Sequence, residues 1–415
     1  MKGANFLEKL LDNQPVEWKK LGEVATFYGG LTGKSKEDFT EGNAYYISYK
    51  NIYENIAVDA TCLERVNVGE GERQHTVEYG DVLITGSSEN LEEAGMSSSV
   101  TFESETNIYL NSFSFGIRFN EGIELSPEFT KYLFRTNMMR KQIMSTAQGV
   151  TRFNVSKKRF ATIEIPIPPL SVQSRIVEIL DKFTSLEAEL EAELEARTLQ
   201  YEYYRDSLFE ALDCPRVPLG SFAQLVRGSG MPKTDFSESG VGAIHYGQIY
   251  TKFGTATAEV ITHVPEEKAK KLAVVNPGDV IVANTSENLE DVCKAVAWVG
   301  DSDIVTGGHA TVIKAPEQNA KFISYYMATG RFNKDKRRHA FGTKVIDVAP
   351  KNLAKIEFPV PPLEEQQRIV DILDRFDALT SSLSEGLPAE LAARRSQYEY
   401  YRDQLLSFPR KGENQ

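Results

Sequence analysis

Eight lysines and arginines, with no aspartate or glutamate among them, fall between Lys131 and Arg159 of this 415-residue chain. A second run, Ser324 to Lys351, holds seven basic residues against Asp335 and Asp347. Cations at this density suit the neutralising of nucleic-acid phosphates, which gives affinity without sequence choice. The first run offers Arg135, Arg140, Lys141, Arg152, Lys157, Lys158 and Arg159, and the second Arg331, Lys334, Lys336, Arg337, Arg338, Lys344 and Lys351. Gln148 and Arg152 beside Gly149, and Lys344 beside Gly342, sit in expected loops, where amide and guanidinium groups can reach base edges. A single basic cluster is ordinarily solvated surface. Recurrence at the same place in two halves favours a surface for double-stranded DNA. The net charge of −12 does not oppose this, because acid is concentrated elsewhere, notably at Glu187, Glu189, Glu191, Glu193 and Glu195.

Reaction chemistry leaves no comparable mark. The chain has no Asp- or Asn-Pro-Pro-aromatic tetrapeptide of the kind amino-methyltransferases use, and no Gly-x-x-x-x-Gly-Lys-Ser/Thr phosphate loop. His75, His245, His263, His309 and His339 are scattered without metal-ligand spacing. Cys62, Cys214 and Cys293 form neither a CxxC motif nor a disulfide framework, which fits a reducing cytoplasm. The N-terminal residues lack a signal-peptide core, and no stretch reaches membrane-span length. These features predict a cytoplasmic chain, away from membranes, that is not an enzyme and holds no metal or cofactor.

The scaffold is written twice. Ile163-Glu164-Ile165-Pro166-Ile167-Pro168-Pro169-Leu170 returns as Ile356-Glu357-Phe358-Pro359-Val360-Pro361-Pro362-Leu363, and Gln173-Ser174-Arg175-Ile176-Val177 as Gln366-Gln367-Arg368-Ile369-Val370. Tyr201 to Asp206 returns unchanged as Tyr398 to Asp403. Gly80-Asp81-Val82 matches Gly278-Asp279-Val280, and Ser88 to Glu92 matches Ser286 to Glu290, as turn and fold signals. Elsewhere the halves diverge, as two different reading heads on one constant frame would.

After each proline strap comes a run with helical periodicity. Phe183, Leu186, Leu190, Leu194, Arg197, Tyr201, Tyr204 and Leu208 step by three and four, a coiled-coil seam. Phe376, Leu379, Leu383, Leu387, Leu391, Arg394, Tyr398, Tyr401 and Leu405 repeat it, with Pro388, preceded by Gly386, expected to kink or locally break the helix. The expected fold is α+β: two strand-rich α/β domains separated by two long helices packed as an antiparallel coiled coil, in a pseudo-twofold internal repeat. Its segments are 1–167, first strand-rich domain; 168–214, first long helix; 215–360, second strand-rich domain; 361–409, second long helix; and 410–415, a tail.

The doubled Ile-Pro-hydrophobic-Pro-Pro-Leu, the Gln-x-Arg-Ile-Val helix start and the Tyr-Glu-Tyr-Tyr-Arg-Asp near each helix end resemble the specificity subunit of type I restriction-modification systems. The resemblance spans essentially the whole chain. It implies that each domain reads one half of a two-part DNA sequence, and that the helices set the gap and dock two modification subunits. Those partners would carry adenine methyltransferase activity, and restriction subunits would add nuclease and ATP-driven translocase. S-adenosylmethionine, ATP and Mg would belong to them. The doubled Glu-Ala-Glu-Leu at Glu187 to Leu194 would act as a length unit. The alternative is a coiled-coil adaptor that binds protein partners alone.

Overall fold

The apolar runs become central strands. In a computed structural model that describes residues 6–380 and 386–410, Val82–Thr85 is buried along its whole length. It pairs antiparallel with Ser97–Ser99 on one side and Ser114–Phe119 on the other, and Ala25–Gly29 extends the sheet beyond Ser114–Phe119. A second sheet runs Glu64–Val66, Ala44–Ile47, Ile108–Leu110. Helices Pro127–Leu133 and Asn137–Thr146 start at Ser126 and Thr136, whose side chains accept from Phe129 N and Met139 N. Ile84, Phe115, Phe129, Phe134, Ile143 and Phe160 close the core.

The second half repeats this plan. Val280–Ala283 lies between Ala310–Lys314 and Ala295–Trp298, with Gln224–Arg227 at one edge and the parallel Ala256–Thr257 at the other. Helices Ala320–Met327 and Gly330–Lys336 stand where Pro127–Leu133 and Asn137–Thr146 stand in the first half. Each domain is closed by a two-stranded strap, Glu17–Lys20 with Glu164–Ile167 and Arg216–Pro218 with Glu357–Pro359. Pro166 and Pro359 lie inside these strands rather than after them, since a two-stranded ribbon leaves a free edge where a missing N–H costs nothing.

The first spacer helix, Leu170–Glu210, is a continuous 41 residues. The second comprises Leu363–Thr380 and Gly386–Leu405, with Pro388 in the first turn of the latter, where proline is tolerated. Leu383 and the side chain of Leu379 lie outside the described residues. Two compact units emerge, Met1–Glu189 with Ala392–Gln415, and Leu190–Leu391. This differs from four successive segments, because each spacer helix is shared between the units.

The repeated motifs are the latches that produce this sharing. Gln173, fully buried, accepts from Ser126 N and donates to the carbonyls of Glu124 and Pro168. Gln366 likewise accepts from Asn319 N and donates to Pro361 O. These hold the start of each helix to its own domain. At the helix ends, Asp206 accepts from Gly330 N at 2.9 Å in the second unit, and Asp403 from Asn137 N at 3.0 Å in the first. Each caps the start of a domain helix. Arg205 and Arg402 lie over the Tyr201 and Tyr398 rings at 5.7 and 5.6 Å and pair with Asp206 and Asp403.

Within the first unit the helix segments run antiparallel: Phe183 stacks on Tyr401 at 5.4 Å, and Arg395 Nε reaches Glu187 Oε1 at 2.7 Å. In the second, Tyr204 stacks on Phe376 at 5.7 Å, the repeat counterpart of the same stacking. Burial of the seam is uneven. Tyr201 and Leu405 sink into domain cores, as do Val172, Ile176, Leu180 and Phe209 outside the seam; Leu391 is buried, Leu190, Leu194, Leu208 and Leu387 are partly covered, and Tyr204 and Tyr401 stay 44% and 38% exposed. Leu186 stays 48% exposed. Apolar cover comes chiefly from the domains at the helix ends and thins away from them. No described helix is long and apolar enough to cross a membrane.

Candidate nucleic-acid interface

The two basic runs separate into cations that work inside the fold and cations that face solvent. The Arg135 guanidinium donates to Ser97 O and to the carbonyls of Ile52, Tyr53 and Asn55, at 2.8 to 3.2 Å. It closes the C-terminal end of helix Tyr49–Glu54, where carbonyls lack helical partners. Arg140 donates to Glu92, Ala94 and Gly95 carbonyls in the turn before Ser97–Ser99. In the second unit Lys294 donates to Tyr250 O at the equivalent helix end, and Lys336 to the Glu290 and Val292 carbonyls of the equivalent turn. Burial pushes Arg135 down to about 10, with the Arg140 charge adding to it, and pushes Lys336 down to about 8. Arg135, Arg140 and Lys336 therefore leave the expected DNA-contacting set. Each is committed to backbone carbonyls of its own unit.

The remaining members face solvent: Lys141, Arg152, Lys157, Lys158 and Arg159 in the first unit, and Arg331, Lys334, Arg337, Arg338, Lys344 and Lys351 in the second. Two positions match between units. Lys141 and Lys334 occupy the same turn of their helices, and Lys158 and Lys351 the same short helix before the strap. Arg159 also donates to Ser145 O, and Arg338 pairs with Asp335 at 3.5 Å.

Gly149 and Gly342 explain why loops form beside them. Gly149 has φ +142°, and a Cβ there would fall 1.9 Å from Arg152 O; Gly342 has φ +121°, and its Cβ would fall 2.0 Å from Val345 O. Only glycine fits either tip. The first hairpin joins Ala147–Gln148 to Phe153–Val155, and the second pairs Phe341 with Asp347 across the turn. Both tips are open: Val150 is 90% exposed, Phe341 65% and Val345 59%.

Each hairpin lies against one further strand, so side chains line up in a row. In the first unit Gln148 pairs with Asn154, and Asn154 with Ser87. In the second Phe341 pairs with Asp347, and Asp347 with Thr285. Directly paired residues point to the same face. Beside the first row, Arg152 Nη2 donates to Ser87 Oγ at 3.0 Å and stands over the Phe113 ring at 5.8 Å, bordering a groove of about 640 Å³. Partial burial lowers the pKa of Lys157, whose ammonium lies 5.4 Å from the Phe115 ring. Beside the second row, His309 Nδ1 lies 3.1 Å from Thr285 Oγ1, its ring 5.0 Å from Tyr246, and Arg227 reaches Asp347 at 3.4 Å. A groove of about 540 Å³ runs there too, where burial, Lys233 and His309 lower the pKa of His245.

The basic clusters alone did not point to Asn154, Asp347, Phe113 or His309. One signal was present: Asn154 and Asp347 each fall five residues after the obligatory glycine.

The comparisons with known proteins agree across the chain. A family model described as the type I restriction modification DNA specificity domain matches twice, at residues 13–196 and 215–393. A type I restriction enzyme specificity subunit of Escherichia coli is 28% identical over 99% of this chain and 98% of its own length. A chain from a structure of the type I R-M system, 17% identical, shares the fold with a TM-score of 0.64, covering 95% of this chain and 98% of that one. With the family signature spanning both halves and the same latch, hairpin and strap built into each, the chain belongs to the type I restriction modification DNA specificity family.

Proposed function

We propose that this chain is the non-catalytic, DNA-reading subunit of a type I restriction-modification complex, each unit binding one half of a two-part duplex target. The observation that carries this reading is the glycine-tipped hairpin present at the same place in both units, with exposed lysines at matched positions beside it. A two-stranded ribbon is a shape the major groove admits. Lys141, Lys158, Lys334 and Lys351 hold phosphates, and the hairpins meet base edges.

The helices have two roles in this reading. Their length sets the number of base pairs between half-sites, and their outward face docks two modification subunits. Within the exact six-residue repeat, Tyr201, Arg205 and Asp206 work internally and Tyr204 stacks on Phe376, as their counterparts do in the other copy. Tyr203 and Tyr400 are left facing outward, 70% and 61% exposed. Large exposed aromatics at equal positions suit a partner that binds twice. Those partners would supply the S-adenosylmethionine and the methyl transfer, and restriction subunits the ATP- and Mg-dependent cleavage.

Binding of the assembled complex to its target, measured against salt, tests the reading. Replacing Lys141 and Lys334 by Glu should weaken binding and lower the slope of log K on log salt by about one for each phosphate no longer neutralised. Unchanged affinity and slope would remove these lysines from the interface.

A further inference from the structure

We infer that the paired rows Gln148–Asn154–Ser87 and Phe341–Asp347–Thr285 are the base-reading elements, the first selecting adenine and the second cytosine. This rests on the DNA-reading function proposed above and goes further, naming the reading residues and their bases. The first two members of each row, Gln148 with Asn154 and Phe341 with Asp347, reach solvent one strand spacing of about 4.8 Å apart, while Ser87 and Thr285, 8% and 9% exposed, anchor the row from within. That spacing lies between one and two base-pair steps of about 3.4 Å, so each row reaches neighbouring base pairs of a half-site.

The chemistry of the rows differs where their positions agree. Gln148 and Asn154 present exposed amides, and a side-chain amide both donates and accepts. That pattern complements adenine, with its N7 acceptor beside the N6 amino donor in the major groove. Asp347 occupies the place of Asn154 but can only accept. A carboxylate facing DNA is repelled by phosphate and finds a favourable partner only at an amino donor. Adenine sets N7, an acceptor, next to its amino group, whereas cytosine presents N4–H₂ without one, so Asp347 selects cytosine. Arg227 Nη2, on a half-exposed side chain, donates to Asp347 Oδ1 at 3.4 Å, a long pair that leaves the carboxylate further acceptor capacity. Phe341, exposed beside it, offers an apolar face where Gln148 offers an amide.

The test exchanges these two residues. The chain is co-expressed with its modification subunit in a host lacking adenine methylation, and the methylated motif is read by sequencing. Asp347→Asn should change one position of one half-site from cytosine to adenine, leaving the other half untouched. Asn154→Asp should make the reverse change in the other half. Each is expected to shift preference at that base pair by about tenfold or more. Identical motifs for wild type and both variants would overturn the inference while leaving the DNA-reading function in place. Absence of a two-part motif with the wild-type chain would instead overturn that function, and the inference with it. Where a variant yields no methylation, its purified complex is titrated with duplexes carrying each base at the position. A switched preference supports the assignment, and equal affinity for all four bases overturns it.

Discussion

Arg135 and Arg337 carry the same charge and serve different ends. Arg135 satisfies four carbonyls, so Arg135→Ala should cost about 2 kcal/mol or more in stability, seen as a lower thermal midpoint. Joint charge reversal at Arg337 and Arg338, both exposed, should leave that midpoint unchanged and weaken DNA binding by the complex. Equal loss of stability in the two variants would mean that the division into internal and external cations is wrong. Lys336 adds a pH signature. Burial holds its folded pKa at about 8, against a usual lysine value of about 10.4. Between these values the unfolded chain keeps the proton and the folded chain does not, so this residue makes stability rise as pH increases from about 8 to 10. Thermal unfolding across that range should show the rise in the native chain and lose it in Lys336→Met. A sequence records that a residue is cationic. It does not record whether carbonyls surround it, which is why Arg135, Arg140 and Lys336 could not be told from their solvated neighbours.

At the scale of elements, the unchanging motifs and the drifting ones have separate physical tasks. Gln173, Gln366, Asp206 and Asp403 fix helix ends to domains, and their repetition made the architecture legible in the sequence itself. The domain exits, spacer helices and antiparallel stacking were likewise readable from proline placement and apolar steps, but the strands that pair with the exits, Glu17–Lys20 and Arg216–Pro218, were not. The rows were not, because cross-strand register depends on which strands pair, and Ser87 or Thr285 lies far in sequence from its hairpin. The hairpins themselves rest on one residue each. Gly149→Ala should force the tip apart and relax recognition of one half-site only, and Gly342→Ala the other. Motif sequencing separates the two, and a variant that altered both halves would contradict independent reading. Tyr203→Ala with Tyr400→Ala should abolish co-purification of the modification subunit without lowering thermal stability, since neither ring is buried.

The molecule as a whole is a duplicated chain in which one helix is unbroken for 41 residues while its two ends belong to different units. Such a helix can convert chain length into distance along DNA. Deleting Glu191 to Leu194 removes about one turn, roughly 6 Å of rise. Against a base-pair step of about 3.4 Å, that shortens the gap between half-sites by one or two base pairs. An unchanged gap would mean the helices do not measure it. The central claim, that one chain reads two half-sites through two units, is tested most directly by co-expressing it with its modification subunit and sequencing methylated adenine across the host genome. The expected result is a two-part motif with one fixed gap, absent when this chain is omitted. A single uninterrupted motif, or methylation indifferent to the chain, would contradict it.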